Sequence, residues 1–371
     1  MIIGVPREIK NNENRVAITP GGVHELASLG HEVVVQADAG AGSGFGDGAY
    51  LSAGARISRS ASAVWAEAEL LLKVKEPIAS EYASLRAGQV VFTYLHLAAS
   101  RELTEALLAS GTTAFAYETV QPADGSLPLL SPMSEVAGRI GPQVGAYHLM
   151  RSQGGEGMLL GGVPGTPSAH VVVIGGGVAG EHAAANALGM GARVTIIDRS
   201  LPRLRELERI FAGRVETRAS TRYEIAAQLV TADLVIGSVL IPGSRAPKLV
   251  TDEMVRTMRP GSVLVDIAID QGGCFEGSRP TTHDDPTFRV HDSIYYCVAN
   301  MPGSVPATST RALTNATLPY VAALAQSGWR AAAAADPALA AGLAVHDGTM
   351  VDARVAQEFD LPVVSVAALL S

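Results

Sequence analysis

Arg15, Lys75, His96 and Asp270 stand far apart in this chain, yet together they are the residue types that grip a small carboxylate and move protons beside it. Arg15 lies in the turn-like run 10–20, where a planar guanidinium can bind a carboxylate through two parallel hydrogen bonds. Lys75 ends an apolar strand in Lys73-Val74-Lys75-Glu76-Pro77, and strand alternation selects it over Lys73. His96 repeats the arrangement on the following strand, in Thr93-Tyr94-Leu95-His96-Leu97, and an imidazole there can exchange protons near neutral pH. Asp270 follows the apolar run 263–267 beside Gly272 and Gly273, which permit close approach, while Asp266 suits a structural role. Three of the four also have an ordinary reading: a surface ion pair for Arg15, a charged strand end for Lys75, a satisfied core histidine for His96. Cys274, next to the Asp270 loop, is assigned to packing.

A second constellation is contiguous. The β-branched run 170–174 reads as a strand buried on both faces, and Gly175-Gly176-Gly177-Val178-Ala179-Gly180 follows it at once. Gly175 permits the tight bend, Gly177 lets backbone approach a pyrophosphate, and Gly180 lets the next helix pack on the strand. That helix, expected over 178–190, would aim the amides of Val178, Ala179 and Gly180 and its positive dipole end at phosphates. The strand 193–197 then delivers Asp198, which can accept both hydroxyls of an adenosine ribose and would repel a 2′-phosphate. Arg199 and Arg203 could offer a 2′-phosphate a countercharge, or form the solvated start of the next helix; Asp198 favours NAD over NADP.

The elements that must position these groups follow an α/β rhythm. With 371 residues the chain suits two domains, and 47% apolar with 17% charged residues describes a well-buried globular protein. A net charge of −8 without a basic cluster argues against nucleic acid or membrane surface as partner. Two cysteines, outside any CxxC pair, fit a reducing cytoplasm. The N-terminus reads as a strand and turn, not a signal peptide, and Gln326, Arg330 and Asp336 interrupt the alanine-rich stretch 320–345. Apolar runs at 33–36, 70–74, 90–94 and 113–117 alternate with helix-like stretches, and a long helix is expected over 131–153. A glycine-rich hairpin or loop covers 154–167, and strands at 214–217, 234–236 and 263–267 continue the pattern. Because the glycine turn begins near mid-chain, two Rossmann-like doubly wound α/β domains are expected, one of them discontinuous in sequence.

Over nearly its whole length the chain resembles the bacterial L-alanine dehydrogenases, within the alanine dehydrogenase and pyridine nucleotide transhydrogenase α family. The resemblance runs through residues 4–8, 11–20, 73–77, 95–100, 131–138, 266–280 and 298–302. It implies a catalytic domain from 1–129 and 306–371 and an NAD-binding domain at 130–305. It also implies that Arg15 and Lys75 hold the substrate carboxylate and carbonyl oxygen, with His96 and Asp270 as the acid–base pair. Tyr94, Met133 and Asn300 would line the pocket. Ser134, Asp198, Arg203, Ser220, Arg279, Val298, Ala299, Asn300 and Met301 correspond to cofactor contacts, and Val239, Leu240, Ile267, Ala268, Ile269 and Asp270 run along the cofactor. Ala323 and Ser327 cannot coordinate a metal, so none is expected.

The activity so implied is reversible oxidative deamination of L-alanine to pyruvate and ammonia with NAD, in a cytoplasmic homo-hexamer. Two alternatives remain at this level: a transhydrogenase-like hydride carrier between nucleotides, and an NAD(H)-sensing binding protein. Complete Arg15, Lys75, His96 and Asp270 argue against the first.

Overall fold

The computed structural model describes residues 1–239 and 246–370, and the chain divides into two compact units, Met1–Met133 with Val305–Ser371, and Ser134–Ser304. The first segment supplies β1 (Ile2–Val5), β2 (Glu32–Gln36), β3 (Arg56–Ser58), β4 (Leu70–Leu72), β5 (Val90–Thr93) and β6 (Thr113–Ala116). The middle segment supplies β7 (His170–Ile174), β8 (Arg193–Asp198), β9 (Glu216–Ala219), β10 (Leu234–Gly237), β11 (Val263–Asp266), β12 (Thr287–Val290) and β13 (Ser293–Tyr296). The chain then returns to the first unit with β14 (Leu343–His346) and β15 (Thr349–Met350).

The first unit's sheet has the order β15-β14-β6-β5-β4-β1-β2-β3, parallel from β6 to β3 with an antiparallel edge made by the returning segment. In the second unit the order is β12-β13-β11-β10-β7-β8-β9, parallel except for β12. Alternate residues enter opposite cores, as the two-residue period of a strand requires: Val171 and Val173 of β7 join one cluster, Val172 and Ile174 the other. The same split divides Leu70 and Leu72 from Leu71 on β4. Both sheets are therefore covered on both faces, which leaves their strand ends as the places where polar groups can gather.

Several expected boundaries move. The helix expected over 131–153 runs Ser131–His148; Leu149 and Met150 leave it because Gly157 N–H bonds Leu149 O (2.8 Å) and Gly155 N–H bonds Met150 O (3.2 Å), folding the chain back. Residues 154–167 form turns and loop, the second of the two expected alternatives. The strand placed at 214–217 is Glu216–Ala219, because Arg214 N–H still closes on Phe211 O at the preceding helix end. The returning helix Pro306–Ala335 is broken at Gly328, whose φ of 75° is non-helical. Most consequential for the candidate site, β4 and β5 stop at Leu72 and Thr93, so Lys75 and His96 stand on the loops beyond them. Among the described residues, no helix is long and apolar enough to cross a membrane.

Candidate functional site

In the Ser134–Ser304 unit, six segments come off the carboxyl ends of parallel strands. Gly175 follows β7 at φ 99°, and a side chain there would meet Ser238 O at 2.9 Å. At Gly180 a Cβ would lie 1.8 Å from Gly175 O, so only glycine lets the helix Val178–Gly189 seat against the turn. Gly177 differs: an added Cβ would meet nothing within 4 Å, and its φ of −67° suits any residue. Packing gives no reason for that glycine, whereas a ligand brought against the backbone would. The helix begins without a side-chain cap, so its first amides are left for an anion. These features fit a dinucleotide pyrophosphate.

Asp198 ends β8 half-buried, taking Gly176 N–H on Oδ2 (2.7 Å) and Ser200 N–H on Oδ1 (2.7 Å). Arg203 is committed elsewhere: its Nε donates to Gly176 O (2.7 Å), and it pairs with Glu181 and with Glu206 (2.6 Å). A guanidinium already neutralised twice is a poor host for a 2′-phosphate. Ser220 follows β9 with its N–H on Asp198 O (2.9 Å), and Val239 follows β10. Leu240 lies outside the described residues. Val298, Ala299, Asn300 and Met301 follow β13, with Ala299 N–H on Thr281 O (3.1 Å) and Asn300 at φ 62°. Arg279 stacks on Phe288 (4.2 Å), and Ser134 opens the unit on the helix Ser131–His148.

Asp270 sits exposed in the 3-10 turn Ile267–Gln271 after β11, with Ile267, Ala268 and Ile269 before it. Asp266 builds that turn. Its buried carboxylate accepts from Ala268 N–H (3.1 Å), Cys274 N–H (2.9 Å) and Ser278 O–H (2.6 Å), and burial pushes its pKa up despite those bonds. Cys274 is buried, in keeping with a packing role.

In the unit that contains both chain ends, Arg15, Lys75, Tyr94, His96 and Met133 come together around the ends of β1, β4 and β5. Arg15 is not at the surface: its side chain is 2% exposed and lies in a fork with the fully buried Glu13, Nε to Oε1 at 2.7 Å and Nη2 to Oε2 at 2.5 Å. Burial pulls the guanidinium pKa down, but Glu13 outweighs it and the group stays charged. Its Nη1 faces Met133 Sδ at 3.0 Å, a soft neighbour that an anion could displace. Lys73 is buried between Glu8 and Glu81, at 3.0 Å from each, and these carboxylates outweigh burial to keep it protonated. Glu8 reaches on to accept Val74 N–H (2.5 Å) and Lys75 N–H (3.3 Å). Lys75 is thus the half-buried lysine, held by its backbone.

Tyr94 is buried with its hydroxyl on Leu129 O (2.5 Å), and burial raises the phenol pKa out of reach of proton chemistry. The His96 ring lies parallel to Tyr94, centroids 5.8 Å apart. Lys75 and His96 share a neighbour in Glu76: burial raises that carboxyl, but Lys75, His96 and Lys10 together hold it below its ordinary value. A polar cavity of about 350 Å³ opens beside the cluster, lined in part by Arg7, Glu8, Lys10, Asn14 and Arg15. Asp270 and Asn300 stand on the other unit. Sequence reading missed the carboxylates Glu8, Glu13, Glu81 and Glu118; position at strand ends, where Tyr117-Glu118 follows β6, was the available signal. No group of three potential metal ligands occurs among the described residues.

Two doubly wound α/β units, one with a dinucleotide cradle and the other with carboxylate-paired cations and a histidine at its strand ends, are the architecture of a pyridine-nucleotide-dependent oxidoreductase. Residues 4–137 match the family described as "Alanine dehydrogenase/PNT, N-terminal domain", and residues 141–353 its C-terminal counterpart. Alanine dehydrogenase of Mycolicibacterium smegmatis is 62% identical over 371 residues, 100% of both chains. A solved L-alanine dehydrogenase superposes with a TM-score of 0.94 at 51% identity, covering 97% of this chain and 99% of the other. A transhydrogenase from Sinorhizobium meliloti gives 0.80 at 30% identity, covering 95% and 99%. The chain belongs to the alanine dehydrogenase/PNT family.

Proposed function

We propose that the chain catalyses the reversible conversion of L-alanine, NAD⁺ and water to pyruvate, ammonium, NADH and a proton. The observation that carries this reading is a buried arginine, a lysine and a histidine gathered at adjacent strand ends, in a chain whose other unit has a glycine that packing does not require at the start of an uncapped helix. The glycine turn would hold the pyrophosphate and Asp198 the ribose; when bound, NAD supplies the hydride acceptor. NAD is favoured over NADP because Arg203 is already paired twice.

Arg15 binds the substrate carboxylate, with Met133 giving way at Nη1, and Lys75 engages the carbonyl oxygen of pyruvate. Their charge stabilises the negative charge that develops on the carbinolamine oxygen as it loses its proton and collapses to the carbonyl of pyruvate. His96 moves protons at its imidazole among amine, water and carbinolamine, and Asp270 serves as the second proton carrier. Tyr94, Met133 and Asn300 restrict the substrate side chain to methyl size. Ser134, Ser220, Arg279 and residues 239–240, 267–270 and 298–301 are the remaining cofactor contacts in this reading. Homo-hexamer assembly and a cytoplasmic location follow from the family resemblance, and sedimentation and fractionation test them.

The nearness of the Sinorhizobium transhydrogenase favours one competing reading, hydride exchange between nucleotides without an amino acid. Incubating the protein with NAD⁺ and following nicotinamide absorbance decides: growth of NADH that depends on L-alanine supports the dehydrogenase, and its absence sinks it.

A further inference from the structure

His96 occupies an unusual backbone position. Its φ of 48° and ψ of 39° are left-handed, a region that non-glycine residues enter only when the surroundings enforce it. The enforcing group is Glu118, in the 3-10 turn Tyr117–Thr119 beyond β6. Since Thr93 of β5 pairs in register with Ala116 of β6, the two parallel strands end level and place Glu118 beside the 95–96 bend. Its carboxylate accepts His96 N–H at 2.6 Å and Leu95 N–H at 3.2 Å on both oxygens. The same Oε1 lies 3.8 Å from His96 Nδ1, too long for a hydrogen bond but within ionic attraction once the ring is protonated. The Tyr94 ring runs parallel to it, centroids 5.8 Å apart, and is itself locked to Leu129 O. Ring face and Nδ1 edge are both defined, which leaves Nε2 for the substrate.

We propose that Glu118 is the positioning residue of the proton-transfer step: it enforces the left-handed bend beneath His96 and takes the Nδ1 proton as partner when the imidazole charges. This rests on the reading of His96 as proton carrier. The proton passes between Nε2 and substrate, while the Nδ1 proton stays on the ring and only changes partner, so no further reactant is needed.

The test uses the full-length enzyme as Glu118→Ala, Glu118→Gln and, for the parent reading, His96→Ala. Glu118→Ala should lower kcat by roughly 100-fold, the scale of a misplaced acid–base group, and raise the solvent deuterium isotope effect on kcat because proton transfer becomes limiting. NADH affinity, read by nucleotide fluorescence, should stay unchanged. Glu118→Gln keeps an oxygen for the backbone amides but not the charge, so it should restore the melting temperature and only part of kcat. Full kcat in either variant overturns the proposal, as does a Glu118→Ala loss that appears equally in NADH affinity without an isotope effect. An unchanged kcat in His96→Ala sinks the parent reading instead, and does so whatever the Glu118 variants show.

Discussion

In the Ser134–Ser304 unit the groups facing the proposed ligand are mainly backbone, set by one strand, one turn and one helix that follow each other in the chain. In the unit containing both chain ends they are side chains placed by carboxylates: Arg15 by a fork with Glu13, Lys75 and His96 through their backbone N–H groups on Glu8 and Glu118. The difference has a physical root. A dinucleotide's phosphates can be met by amides and a helix end, which any sequence with suitably placed glycines provides. A three-carbon acid offers little surface, so its recognition needs full charges, and charges brought to a protein interior need partners that keep them ionised.

The comparison breaks most visibly if the side-chain unit is dispensable for chemistry. His96→Ala should lower kcat by about 10²–10⁴-fold, the usual contribution of an acid–base group, with NADH affinity intact because the cradle lies on the other unit. Rapid-equilibrium binding beside steady-state rates measures both. A variant that lost NADH binding in parallel would mean the two regions cannot be treated separately.

Next in size is the support beneath Lys75. Lys73→Met leaves Glu8 and Glu81 buried without their cation, and breaking such a buried pair costs about 3–5 kcal/mol. Denaturant titration should show that loss, and a change below about 1 kcal/mol would indicate that water reaches the site and screens the pair. Adding Glu8→Gln and Glu81→Gln to Lys73→Met should recover part of the stability, since it removes the uncompensated charges, but not the alignment of Lys75.

The same contrast explains what could be read from the sequence. The glycine turn, its strands and Asp198 lie within residues 170–198, so strand period, turn chemistry and helix start reinforce each other over one short window. Asp266 was legible as structural for a similar reason: its partners at Ala268, Cys274 and Ser278 are near in sequence. Lys73 and Glu8 meet across 65 positions and Glu118 reaches His96 across 22, so no local pattern marks either pair. The burial of Arg15 went unseen because the turn 10–20 reads as polar surface. Strand ends slipped too: an apolar run continues past the last paired residue, which made Lys75 and His96 look like strand positions when loops carry them.

Within the cradle, two glycines should separate ligand from fold. Gly177→Ala meets no protein atom and should leave the melting temperature alone while weakening NAD binding by about tenfold, near 1.4 kcal/mol, if backbone approaches the pyrophosphate there. Gly180→Ala drives a Cβ into Gly175 O and should lower both stability and binding. Equal behaviour of the two variants would erase the distinction between a glycine kept for a ligand and one kept for packing.

The smallest effect expected lies at the opposite, amino-terminal end of the second unit's strands, where Glu156 sits by Asp233 just before β10, its N–H on Gly261 O (3.1 Å). Burial first, then Asp233, pushes the Glu156 carboxyl up to about 7. A folded pKa above the unfolded value of about 4.3 means that the folded state holds the proton more tightly, so stability falls as pH rises from about 4 to about 7 and stays lower above that. Glu156→Gln removes the penalty. Because the group is partly open to solvent, the gain should be under about 1 kcal/mol at pH 8 and vanish near pH 4. Its kcat should match the parent enzyme, since a half-buried carboxyl remote from the strand ends that carry the candidate site has stability as its only readout. Thermal melts at the two pH values check the sign, and a loss at pH 8 that disappears near pH 4 would show that Glu156 is held ionised by Arg259 rather than protonated against Asp233.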